Sequence, residues 1–421
     1  MEDKLAEIRK ILEAQQTESE KFIPGKTKIH LSIPQFGVDE IIESIDSFLS
    51  TYVTMGKKVK MFENLFSSYI GTRHGIMVNS GSSANLVALS ALSNTAVKNH
   101  LIPGDEIITP AVTFATTVYP ISSQNCVPVF VDVDRETLNM NTEKIEKAVT
   151  AKTKAIMLVH LLGNPCDMDE ITRIAEENNL LVIEDSCEAH GAEFKGRKVG
   201  SFGDVSTFSF FLAHHITTIE GGMILTNNDS VADLSRSIRV FGWTRDMKDH
   251  ERVASEYEFI DKRYLFLYPG YNMRPTEIQG AFGMHQIKKL DGFVEHRRDN
   301  AKYWNNRFRK FSHVISIIEE RPHTKISWYG YPITLDASVK FTRKEMTDFL
   351  EQRGIETRQI MAGNFVEQPV IRHINHRIGG TLANSQHIMR HSFFWGNHEG
   401  IGKEEREFMA DSLIEFIEEH D

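Results

Sequence analysis

Cysteine is scarce in this chain: Cys126, Cys166 and Cys187 are the only three in 421 residues. They are odd in number, widely spaced and free of C-x-C or C-x-x-C pairs. That argues against a disulfide framework or a structural zinc site. An iron–sulfur cluster normally takes four cysteine ligands, so none is expected. Long apolar runs are also missing; no stretch approaches the 18 or so residues that suggest a membrane helix. Met1-Glu2-Asp3-Lys4 lacks the basic-then-apolar plan of a signal peptide, so a cytoplasmic protein with no membrane role is expected. There is no basic block either. With 48 Lys and Arg against 58 Asp and Glu the net charge is -10, and nucleic acid is not an expected partner.

What is present is core-forming. The chain is 41% apolar and 25% charged, and its length fits a large domain with a smaller one. Leu5, Ile8, Ile11 and Leu12 stand at helical spacing, predicting an amphipathic helix over residues 1–20 within an N-terminal extension, 1–30. From residue 73, short apolar runs alternate with helical patterns. The runs cover 75–78, 106–108, 129–131, 155–159, 181–183, 205–208 and 223–226. Seven such runs, separated by helices, indicate strands buried on both faces of a mostly parallel sheet in a doubly wound α/β fold. A helical pattern then runs from Glu277 to Asn306. Strand-like segments at 314–317 and 330–333, followed by helices, suggest a smaller α+β domain. The expected division is 31–300 and 301–421.

Several motifs carry chemistry. Asn79-Ser80-Gly81-Ser82-Ser83-Ala84-Asn85 follows the first strand and opens a helix. Gly81, Ser82 and Ser83 suit a phosphate cradle at a helix N-terminus, but a serine-capped turn has the same composition. Ile183-Glu184-Asp185 ends a strand on a carboxylate, at the edge where open α/β sheets bind ligands. Glu188 follows closely; the plainer reading of the two acids is a helix cap and a solvated neighbour. The Asp-x-x-Glu-x-His spacing that ends on His190 lacks a further ligand group, so no metal site is expected. Phe114 is one of 26 phenylalanines and suits a core as readily as a site. Arg245, two residues after Trp243, has a guanidinium fork that suits a phosphate or a surface ion pair alike. His214 and His215 sit between Ser209-Phe210 and Glu220-Gly221-Gly222, and an imidazole moves protons near neutral pH.

In combination these motifs resemble the DegT/DnrJ/EryC1/StrS sugar aminotransferases, whose pattern reads roughly S-F-x-x-x-K-x-x-x-x-x-E-G-G. The resemblance spans nearly the whole chain. It implies the fold type I architecture of the aspartate aminotransferase superfamily. It also implies pyridoxal 5'-phosphate (PLP) or pyridoxamine 5'-phosphate (PMP) as cofactor, and a homodimer with shared sites. By the same resemblance, Gly81, Ser82, Ser83 and Ser209 face the cofactor phosphate and Phe114 stacks on its ring. Asp185 partners the ring nitrogen, Glu188 lies close by where many relatives carry glutamine, and Asn272 reaches the neighbouring subunit's phosphate.

One position departs from the pattern: His214 stands where the family carries its imine-forming lysine. Within the family that change marks the sugar 3-dehydratases, which use PMP and a histidine base. The expected partners are then a nucleotide-linked 4-keto-6-deoxy sugar and L-glutamate as amino donor. GDP-4-keto-6-deoxy-D-mannose comes first; a CDP-linked sugar or a heptose is the alternative. Arg245 and His215 are the expected substrate contacts. A non-catalytic relative that binds cofactor or nucleotide sugar is the competing reading.

Overall fold

In the computed structural model, which describes residues 2–14 and 21–420, successive residues of the central strands point to opposite faces, each covered by helices. Ile107, Ala155, Met157, Ile183 and Ile224 face one side, where Val87 of the helix Gly81–Leu92 and Val231 of the helix Asp229–Ile238 meet them. Ile108, Val129, Ile156 and Leu158 face the other, against Ile145 of Thr142–Ala148 and Ile171 of Met168–Asn178. Further along that face, Phe62 and Phe66 of the helix Lys57–Ile70 cover Phe208 and Met223.

The strands lie in the spatial order His74–Val78, Gly222–Thr226, Val205–Ser209, Leu181–Asp185, Thr153–Val159, Glu106–Pro110, Val127–Val131 and Arg377–Ile378. All seven expected strands are in this sheet. Gly222–Thr226 runs antiparallel to both its neighbours, and the remaining pairs are parallel. The eighth strand corrects the count of seven. It is two residues long, too short for any periodicity, and it comes from the C-terminal part of the chain.

The C-terminal half builds a second sheet, antiparallel, in the order Ile315–Ile317, Gly330–Leu335, Ser392–Gly396 and Thr357–Gln359. Trp304, Tyr331 and Trp395 interlock beneath it. Phe22 and Ile29 from the N-terminal segment join that same core. The single helix expected from Glu277 to Asn306 is in fact two, Glu277–Gln286 and Leu290–Phe308. Between them the Lys288 and Lys289 amides turn back to the carbonyls of His285 and Gln286, and the redirected helix buries Leu290 and Val294. The N-terminal helix covers Glu2–Ala14 and pairs Arg9 with Asp39 at 2.7 Å; its expected continuation over 15–20 lies outside the described residues.

Candidate active site

A cavity of about 380 Å³ opens at the carboxyl ends of the parallel strands, the edge where such sheets bind ligands. At one end stands the N-terminus of the helix Gly81–Leu92. Its cap is Ser80, whose Oγ accepts from the Ser83 amide at 3.1 Å and donates to the Ser83 Oγ at 3.0 Å. Ser83 is thereby spent on the cap and does not line the cavity, whereas Gly81, Ser82 and Ser209 do. The approach is tight: a Cβ on Gly81 would lie 2.5 Å from the Ser209 Cβ, so only glycine lets the helix start this close to the neighbouring strand. Free amides at a helix N-terminus, with a serine opposite, form an anion cradle.

Asp185 lines the cavity where its strand ends. Its Oδ2 accepts from Asn85 Nδ2 at 2.9 Å and Thr117 Oγ1 at 2.8 Å, and its Oδ1 from the Cys187 amide at 3.3 Å. Thr207 donates to Asn85 Oδ1 at 2.6 Å, and Thr113 to Thr117 at 2.8 Å. This buried chain locks the carboxylate in place, and no cation pairs with it among the described residues. Asn85 ends the motif that opens on Asn79 and Thr117 lies three residues after Phe114, yet the sequence marks neither as a site residue. Their partners lie far away in sequence, and no local pattern announces the pairing.

Phe114 is 56% exposed in the one-chain structure and lines the cavity, so it is no core phenylalanine. His214 lines the cavity too, held by a loop that closes on itself through Phe210 N to Gly221 O and Thr218 N to Phe210 O. Its ring lies 5.2 Å from that of Tyr329, another lining residue missed in sequence, and among the described residues its Nδ1 has no hydrogen-bond partner. Burial, helped by the Arg297 charge, pushes the imidazole down to about 3, which leaves it neutral and proton-accepting at neutral pH. Glu188 behaves oppositely: burial, with Asp185 adding to it, pushes its carboxyl up to about 8. Among the described residues, no lysine lines the cavity.

Three further expected residues do not line this cavity: His215 and Arg245, expected at the substrate, and Asn272, expected at the neighbouring subunit's phosphate. His215 is buried, with its Nε2 2.9 Å from the Ser327 carbonyl, because neighbours in a tight loop face opposite ways. Arg245 stacks over Trp243 at 4.2 Å and donates to the Arg263 carbonyl, in a separate pocket with Tyr52 and Arg274. Asn272 is exposed outside the cavity, its Oδ1 accepting from Arg274 Nε at 3.1 Å. The residues that do converge fit PLP or PMP: an anion cradle, a fixed carboxylate for a ring nitrogen, and an aromatic face at the mouth.

The model of the DegT/DnrJ/EryC1/StrS aminotransferase family matches residues 36–413. GDP-4-keto-6-deoxy-D-mannose 3-dehydratase of Yersinia pseudotuberculosis is 39% identical over 353 residues, 83% of this chain and 89% of that protein. The dTDP-4-dehydro-2,6-dideoxy-D-glucose 3-dehydratase of Saccharopolyspora spinosa is 37% identical over 415 residues, 96% of this chain and 89% of that one. Among solved structures, E. coli GDP-4-keto-6-deoxy-D-mannose-3-dehydratase with bound hydrated PLP superposes with a TM-score of 0.86 at 35% identity. The match covers 91% of this chain and 98% of that one. With residues 36–413 matched by the family's model and relatives of 37–39% identity covering most of its length, the chain belongs to the DegT/DnrJ/EryC1/StrS aminotransferase family.

Proposed function

We propose that this protein is a nucleotide-sugar 3-dehydratase that removes the C3 hydroxyl of a 4-keto-6-deoxy sugar, using PMP regenerated from PLP by L-glutamate. One observation carries the reading: an imidazole, His214, faces an otherwise complete cofactor cavity lined by no lysine among the described residues. A relative that had given up the cofactor altogether would have no reason to keep the Asp185 network and the Gly81–Ser209 approach intact.

When bound, PMP supplies an amine that a keto sugar can take up and a ring that accepts electrons from it. Gly81, Ser82 and Ser209 hold the phosphate. Asp185 keeps the ring nitrogen protonated, and Phe114 covers one ring face. His214, neutral and with a free nitrogen, takes and returns protons at the reacting centre. Tyr329 packs on the imidazole and fixes its orientation.

The protein acts in the cytoplasm as a homodimer. Phe48, Leu49, Tyr52, Met61 and Leu65 are all exposed on or beside neighbouring helices, a patch that a second copy would cover. Asn272, exposed and outside its own cavity, is then available to the partner's site.

The test is direct. Purified protein with PLP should change its absorbance when glutamate is added, and GDP-4-keto-6-deoxy-D-mannose should then release ammonia. Because the S. spinosa relative aligns over 96% of this chain, the panel also carries dTDP- and CDP-linked keto sugars. Silence across all three nucleotides would leave a non-catalytic binder.

A further inference from the structure

The sharp turn Leu161–Gly163 has a backbone that side chains rarely adopt: Leu162 is at φ 52° and Gly163 at φ 81°. It is braced on one side by Asn139, which accepts from the Leu161 amide at 3.1 Å and donates to the Asn164 carbonyl at 2.9 Å. The turn aims both ends of one residue at the cavity wall. The Leu162 N–H donates to Glu188 Oε2 at 2.8 Å, and the Leu162 carbonyl accepts from the Tyr329 amide at 3.0 Å. Leu162 thus brackets two cavity-lining residues, Glu188 and Tyr329, that are 141 positions apart in the chain.

That bracket decides what Glu188 can do. One carboxyl oxygen is committed as an acceptor, and no cation pairs with Glu188 among the described residues. The groups facing it are Asp185 and Cys187 from its own loop, Tyr329 from the segment before Gly330–Leu335, and His214 from the loop after Val205–Ser209. None is a free cation. Arg297, behind Tyr329, is spent on Glu399 at 3.1 Å and on the carbonyls of Trp328, Tyr329 and Asn397. Burial, a single amide donor and a carboxylate neighbour all favour the neutral form of such a carboxyl over the charged one, and leave the oxygen not taken by Leu162 free to carry a proton.

Resting on the dehydratase reading above, we propose that Glu188 works as a neutral carboxylic acid and is the proton donor to the departing hydroxyl, partnered with His214 as the base. His214 takes the proton of the C–H bond that breaks, and the electron pair left behind is what displaces the hydroxyl. The C–O bond breaks with its pair going to oxygen, Glu188 gives that oxygen its proton, and water leaves. One proton is taken and one given, no electrons are exchanged with an outside reagent, and proton return from the imidazolium through solvent resets both groups. Environments that push two titrating groups of one site apart, one up and one down, are how acid and base roles are divided. Glu188 stands raised and His214 lowered.

Glu188→Gln tests this, since the amide keeps an acceptor for Leu162 and a donor for the cavity but has no proton to give. Its glutamate half-reaction should fall less than about tenfold while sugar dehydration falls about 100-fold or more. Independently of substrate, infrared spectra of cofactor-free wild type minus Glu188→Gln should carry a protonated-acid band at pH 7 that is lost by about pH 10. Dehydration within about threefold of wild type, an equal loss in both half-reactions, or no acid band at pH 7 would each overturn the assignment. If wild type itself releases no ammonia, the dehydratase reading fails and this role goes with it, whatever the band shows.

Discussion

At the scale of single residues, the proposed chemistry turns on His214. His214→Lys is expected to lower dehydration at least about 100-fold, the usual worth of a positioned acid/base group. The same variant should retain PLP through dialysis that strips wild type, because a lysine anchors the aldehyde covalently. Turnover and cofactor content of the dialysed proteins check both. Asn85 is the residue to probe for the architecture beneath. It is buried and joins Asp185 to Thr207, so Asn85→Ala leaves two buried groups each short of a partner. The expected cost is about 1–3 kcal/mol, read as a lower urea midpoint, together with weaker PLP binding. His214 was legible in sequence because it breaks a pattern. Asn85 was not, because its partners are 100 and 122 residues away.

At the scale of elements, the site is a meeting of ends. Strand ends bring Asp185 and Ser209, a helix start brings Gly81 and Ser82, and a strained turn brings the Leu162 amide. Gly81→Ala would place a methyl carbon 2.5 Å from the Ser209 Cβ and force the helix N-terminus back. PLP affinity should fall at least about tenfold, with loss of stability limited to the ~1–3 kcal/mol typical of local overpacking. Spectral titration with PLP and a melting curve on the same sample separate the two effects. The phosphate-cradle motif was readable as small residues after a strand. Ser209 lines the cavity where the resemblance puts it, but that Ser83 serves the cap instead follows only from how the helix starts.

At the scale of the whole molecule, the buried titrating groups shape stability against pH. Burial is the first cause that lowers His190, His214 and His215 from their usual value of 6.5. The unfolded chain therefore binds more protons below pH 6.5, and stability present above that value is lost as pH falls below it. Each such histidine contributes a slope of about 1.4 kcal/mol per pH unit, so the three together reach about 4. Urea midpoints of the cofactor-free protein between pH 4.5 and 6.5 should be steep in pH, and His190→Gln should remove about a third of that slope. Glu188 acts on the other side. Its folded value of about 8 lies above the usual 4.5, so its contribution is fully present below 4.5 and lost as pH rises through 8. Glu188→Gln should gain on wild type by a few kcal/mol at pH 9 relative to pH 5; equal pH dependence of the two midpoints would refute that.

The sequence by itself determined the seven longer strands, the order of elements and the reaction-defining exchange at position 214. Each of these is written in local spacing or in a motif a few residues long. Only the tertiary structure decided which groups share the cavity. It turned His215 away and left Arg245 in another pocket, because direction in a loop is settled by packing rather than by neighbours in the chain. It brought in Asn85, Thr117 and Tyr329 and aimed a strained peptide at Glu188, because these contacts join segments that the chain keeps far apart. Burial did the rest: the raising of Glu188 and the lowering of His214 belong to their surroundings, not to glutamate or histidine as such.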